Sequence, residues 1–167
     1  MKTLKTVAAL ALATSAPLVY AATSTGQLSV DATVAASCSV ANTTLSFGSI
    51  DPLVLATADA DAQADISVTC SNTTTYNVGL DAGLTTAATV TTRQMDIAGA
   101  GTDKLNYSLY SDSGRSTNWG ETVPTDTVGG TGSGSAIVHT VYGRIPSGQN
   151  NAPVGTYNDT VTITITY

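Results

Sequence analysis

The chain has 167 residues, of which 42% are hydrophobic and 11% charged, and its formal net charge is −6. That length suits one ordinary domain with a core of useful volume. Six Lys and Arg against twelve Asp and Glu leave nothing to neutralise phosphates, which speaks against a nucleic-acid partner and against docking on an anionic membrane.

From the N-terminus, Met1-Lys2-Thr3-Leu4-Lys5, the apolar run Val7 to Ala13 and the small-residue stretch ending at Ala21 have the parts of a secretory signal peptide. The apolar run is shorter than the roughly 20 residues that span a bilayer, so no membrane insertion is expected once it is removed. Cleavage is expected after Ala21 or Ala22. A cut after Ala21 leaves 146 residues (167 less 21), in which Arg93, Lys104, Arg115 and Arg144 face all twelve acids for a net charge of −8 (four less twelve).

Residues 22–34 begin polar and then alternate, with Leu28, Val30, Ala32 and Val34 on one side and Ser29, Asp31 and Thr33 on the other, the pattern of a strand. Cys38 and Cys70 follow, the only two cysteines. An even count in an exported chain predicts one disulfide, joining the first strand of the domain to the strand that ends at Cys70. Closing that loop should stabilise by roughly 3 to 4 kcal/mol. Between them, Asp59, Asp61 and Asp65 read as a solvated acidic loop. The segment lacks the central Gly and final Glu of a calcium loop, which leaves at most an adventitious ion.

Further strands show as short alternations between turn residues. Ile66, Val68 and Cys70 share a face, as do Tyr76, Val78 and Leu80 after Ser71-Asn72-Thr73, and Leu105, Tyr107 and Leu109 after Gly99-Ala100-Gly101. The run from Gly129 to Ser135 has no following Lys-Ser or Lys-Thr and opens no helix, so it reads as a flexible surface loop and not a phosphate cradle. Ile137, His139 and Val141 alternate next. At the C-terminus Val161, Ile163, Ile165 and Tyr167 fall on one face and four threonines on the other. Seven or so such strands predict an all-β sandwich.

Catalytic chemistry finds little support. His139 is the sole histidine and sits inside an alternating strand, where a packed or rim position fits better than a general base, and it has no companions at zinc-site spacing. Ser113-Gly114 and Ser147-Gly148 look like turn corners, and no Gly-x-Ser-x-Gly elbow occurs. The sequons at Asn42, Asn72, Asn106 and Asn158 arise by chance in a threonine-rich chain. Neither an enzyme nor a cofactor is expected.

The strand ending at Tyr167 is expected to present an uncovered edge, and such an edge invites pairing with another chain. Residues 22–34 could supply the partner strand to a neighbour, or could pair within their own domain as an ordinary first strand. Periodicity alone does not choose between the two.

Several segments, in order, resemble the spore coat protein U domain, a family that includes the archaic, Csu-type chaperone-usher pilins of Gram-negative bacteria. They are Thr25-Gly26-Gln27-Leu28-Ser29-Val30, Ala36-Ser37-Cys38-Ser39-Val40, Leu45-Ser46-Phe47-Gly48, Ile66-Ser67-Val68-Thr69-Cys70, Asn106 to Asp112, Val141-Tyr142-Gly143-Arg144-Ile145-Pro146 and Gly155 to Val161. The resemblance implies an immunoglobulin-like β-sandwich that lacks its last strand. It further implies residues 1–21 as signal peptide, 22–34 as an N-terminal donor-strand extension and 35–167 as the pilin domain. The donor residues would be Leu28, Val30, Ala32 and Val34, with a shallow contact from Gly26, and the acceptor groove would be edged by Val161, Ile163, Ile165 and Tyr167 and by the strand around Cys38. Partners would be neighbouring copies or related pilins, a periplasmic chaperone and an outer-membrane usher. The expected function is a structural subunit of a surface pilus, exported through the periplasm and supporting adhesion and biofilm formation; the alternative is a secreted monomeric or tip-located surface-binding adhesin.

Overall fold

A computed structural model describes residues 17, 19–99 and 101–167. The expected signal peptide, Met1 to Ala21, falls mostly outside the described residues. The chain divides into two units, 1–33 and 34–167.

In the first unit the described residues form neither helix nor strand. The strand expected over Leu28 to Val34 is therefore absent, and Leu28 and Val30 are 87% and 82% exposed. The physical reason is that alternation selects a face but does not supply a ladder, and an extended segment without a hydrogen-bonded partner strand is not stable as a strand.

The second unit is an all-β sandwich. Its elements in chain order are β1 (Cys38–Val40), the short helix α1 (Pro52–Leu55), β2 (Ala60–Cys70), β3 (Thr75–Leu80), β4 (Arg93–Ile97), β5 (Lys104–Tyr110), β6 (Val128–Thr131), β7 (Ala136–Ile145), β8 (Tyr157–Asn158) and β9 (Ile163–Thr166). One antiparallel sheet runs β1-β2-β7-β5-β4-β8 and the other β6-β3-β9. The chain crosses between sheets from β8, which pairs with β4, to β9, which pairs with β3.

The alternating faces meet as expected: Ile66 and Val68 of β2, Tyr76, Val78 and Leu80 of β3, Leu105, Tyr107 and Leu109 of β5 and Val141 of β7 are all buried. Cys38 and Cys70 stand opposite each other in the β1–β2 ladder and are bonded, with Cα atoms 4.1 Å apart. Asp51 caps α1 by accepting from the Leu53 amide at 2.8 Å, and Pro52 at the first helical position has no amide to leave unpaired.

Two segments read as loops are strands. Asp61 and Asp65 belong to β2, because each stands directly opposite a partner that suits it on β7. Arg144 donates to Asp61 from Nε at 2.8 Å and Nη2 at 2.9 Å, and Thr140 donates to Asp65 at 2.8 Å. The Arg144 contact holds the Asp61 carboxyl below its ordinary range. The glycine-rich run likewise begins inside β6. Gly130 pairs with Tyr76, and a Cβ there would lie 2.5 Å from the Tyr76 hydroxyl, so the missing side chain lets the ring lie against the strand. The C-terminal strand ends at Thr166, which leaves Tyr167 outside it and 60% exposed.

Between the sheets lies Arg93, which is fully buried. Its guanidinium donates to four main-chain carbonyls, those of Asp81 and Val90 at 2.7 Å, Trp119 at 2.8 Å and Leu80 at 2.9 Å. Burial pushes its pKa down, while Tyr107, Asp81, Asp159 and Asp126 nearby act in the opposite sense. The bonds tie β4 to the end of β3 and to the Trp119 turn. The Trp119 indole in turn donates to the Val78 carbonyl at 2.8 Å.

Candidate strand-accepting groove

The hydrophobic core is not closed on every side. Beyond β1, residues 42–49 pair with no strand, and across from them runs the chain from Tyr157 to Ile163. Between these walls lie two adjoining cavities of about 410 and 570 Å³, which share Thr44, Leu45, Phe47, Met95, Tyr157 and Asn158 in their linings. The floor of the first is the core itself: Ile66, Leu80, Tyr107, Leu109 and Val141. A completed sandwich would cover such residues with a further strand.

Each wall is fixed by local chemistry. Leu45 and Phe47 seat on Gly143 of β7, where a Cβ would stand about 3 Å from both side chains. Phe47 meets the Tyr107 ring edge-on, with centroids 6.4 Å apart. On the opposite wall the Asp159 carboxylate accepts from the Tyr107 hydroxyl at 2.6 Å and from the amides of Leu84 and Thr160 at 2.9 and 2.8 Å. Burial, reinforced by that carboxylate, pushes the Tyr107 phenol far above its ordinary value, so it stays a neutral donor. Asp81 accepts from the amides of Gly83 and Thr162, both at 2.9 Å. Burial pushes the Asp81 carboxyl up, but these bonds and the Arg93 charge outweigh it and hold it below the usual range.

Of the residues expected at the acceptor edge, Val161 and Ile163 line the first cavity. Ile165 is half-buried against the core but lines neither cavity, and Tyr167 points to solvent. Beside the disulfide the walls converge, since β1 and β9 come within 8 Å between Cα atoms. The groove therefore opens along residues 43–47 and 157–163. Among the expected donor residues Gly26, Leu28, Val30, Ala32 and Val34 are all exposed.

Sequence reasoning quoted Leu45 and Phe47 only as part of a motif and did not place them at the site, although their two-residue spacing marks a shared inward face. Tyr157 and Asp159 were likewise quoted only within the motif Gly155 to Val161, and Met95 was missed. Asp159 had no local signal, because its partners Leu84 and Tyr107 are 75 and 52 residues away. What the arrangement can do chemically is bind an extended apolar segment. The floor is apolar, residues 42–49 on one wall belong to no ladder, and the one carboxylate lining the groove is already hydrogen-bonded.

This geometry is that of a two-sheet all-β sandwich with an open side, and the family profile of the spore coat protein U domain matches residues 24–164. The chain belongs to that family. It is 38% identical over 182 residues to Protein U of Myxococcus xanthus, with all of both chains covered. Its fold is similar to that of a chain in the crystal structure of the CsuC–CsuE chaperone–tip adhesion subunit pre-assembly complex from the archaic chaperone-usher Csu pili of Acinetobacter baumannii. There the TM-score is 0.60 and the identity 21%, over 81% of this chain, which spans 41% of the other. The fold is thus that of an immunoglobulin-like β-sandwich.

Proposed function

We propose that this chain is a structural subunit of a surface fibre, built by donor-strand exchange: residues 22–34 of one copy fill the groove of another. The observation that carries this reading is an open groove floored by the hydrophobic core, in a chain whose N-terminal segment holds its alternating apolar side chains in solvent. Burying Leu28, Val30 and Val34 would contribute roughly 1.5 to 3 kcal/mol each, before the cost of ordering the segment is subtracted. In this reading residues 1–21 direct export and are removed, and 35–167 are the acceptor domain. A periplasmic chaperone shields the groove until an outer-membrane usher passes subunits to the surface of a Gram-negative cell, where the fibre supports adhesion and biofilm formation. Membership of the family and the likeness to a pilus subunit support that assembly route.

The test is Val30→Asp, which forces an unpaired carboxylate into an apolar site at a cost of several kcal/mol. Export and the disulfide should be retained while fibre assembly, seen by electron microscopy and size exclusion, is lost. Deleting residues 23–33 should do the same. Normal fibres from the Val30→Asp protein would refute the reading.

A further inference from the structure

The groove has two unlike ends. At the disulfide end β1 and β9 are within 8 Å between Cα atoms. A strand inserted there would hold its flanking strands roughly 9.6 Å apart, twice the usual spacing, so that end is closed to an entering segment. At the other end the larger cavity is lined by Pro52 and Leu55 of α1 and by Ala152, Pro153 and Val154. α1 is tied to the loop that leads to Ala152, the Gly148 amide donating to the Leu55 carbonyl at 2.8 Å. Val154 lines this mouth and is 97% exposed, and on α1, beside the lining residues Pro52 and Leu55, Leu53 and Val54 are exposed too.

Covalent reach then decides what covers them. The donor residues run to Val34 and β1 begins at Cys38, so the donor segment and its own domain are separated by no more than about 14 Å of extended chain. A segment that enters a groove closed at its far end leaves the domain attached to it at the mouth. We infer that the exposed apolar residues Leu53, Val54 and Val154 of these two segments are the seat for the body of a second copy of this chain, the copy whose residues 22–34 occupy the groove. Charge favours the same occupant. A net-acidic subunit gains little from a polar contact with another acidic copy, whereas uncharged aliphatic side chains bring two such bodies together without opposing carboxylates.

This inference rests on the donor-strand reading, and its test separates the two. A photo-crosslinking amino acid is placed in full-length mature protein at position 154, or at 138 as control. Val138 is also exposed but lies in β7 opposite Ser67, towards the disulfide end. Both proteins are irradiated as fibres and as unassembled subunits, with and without Val30→Asp. The expected result is a fibre-dependent adduct from position 154 to the first residues of a neighbour's domain, none from position 138, and loss of both fibres and adduct with Val30→Asp. Fibres that give adducts only from position 138, or from neither position, overturn the seat while leaving donor exchange standing if Val30→Asp still abolishes assembly. Adducts from position 154 in fibres that survive Val30→Asp uphold the contact and overturn donor exchange.

Discussion

Arg93 holds a positive charge at a site without solvent, and no carboxylate touches it; its donors end on four carbonyls drawn from three stretches of chain. Removing the side chain leaves those carbonyls buried and unpaired, each costing about 1–3 kcal/mol if water does not reach it. Arg93→Met is therefore expected to lower unfolding stability by about 3 kcal/mol or more in urea titration, and Arg93→Lys by less, because the ammonium keeps some of the contacts. His139 is a second polar residue at the core's rim, its Nε2 2.9 Å from the Tyr76 hydroxyl. Burial pushes its pKa below the ordinary value near 6.5, so the fold favours neutral imidazole. The stability this contributes is complete above about pH 6.5 and is lost as the pH falls through the depressed value. His139→Gln keeps a polar partner for Tyr76 and cannot titrate. The difference in stability between pH 7 and pH 5 should be smaller in that variant than in the parent protein, as measured by denaturation at both pH values. His139 was legible as a strand residue from its alternating neighbours, whereas the role of Arg93 was not, since its partners lie up to 26 residues away and are main-chain atoms that no motif records.

The glycine of β6 sets the packing of the smaller sheet. Tyr76 is buried beneath it, so an added methyl meets a ring with little room to move. Gly130→Ala should cost about 1–3 kcal/mol in thermal or urea unfolding, the range for overpacking in a core. An unchanged stability would mean the ring has another place to go. That position also shows where pattern reading stops. β2, β3, β5, β7 and β9 were legible because each puts apolar side chains on one face against a shared core. β6 was not, because glycine has no side chain with which to declare a face. β4 was missed because the inward residue at its start is Arg93, which breaks the apolar period, and β8 has only two residues. The first half of β2 was hidden by its aspartates, whose partners on β7 are visible only in the register. At the disulfide the count of cysteines sufficed, and the structure adds that the bond clamps β1 at the closed end of the groove.

For the whole molecule, the sandwich, the open side and the family are established, and the account turns on where residues 22–34 go in an assembled fibre. The apolar alternation of that segment was plain in the sequence, but its conformation in a single chain was not, because an extended segment has no ladder until a partner strand provides one. The groove was legible only at Val161 and Ile163, since its floor gathers residues from β2, β3, β5 and β7 that are remote in the chain. Hydrogen exchange on fibres and on unassembled full-length subunits tests the central claim most directly. Donor exchange predicts that the amides of residues 27–34 exchange freely in the subunit and become strongly protected in the fibre, together with those of residues 43–47 on the groove wall. Fibres in which residues 27–34 exchange as fast as in the unassembled subunit would contradict it.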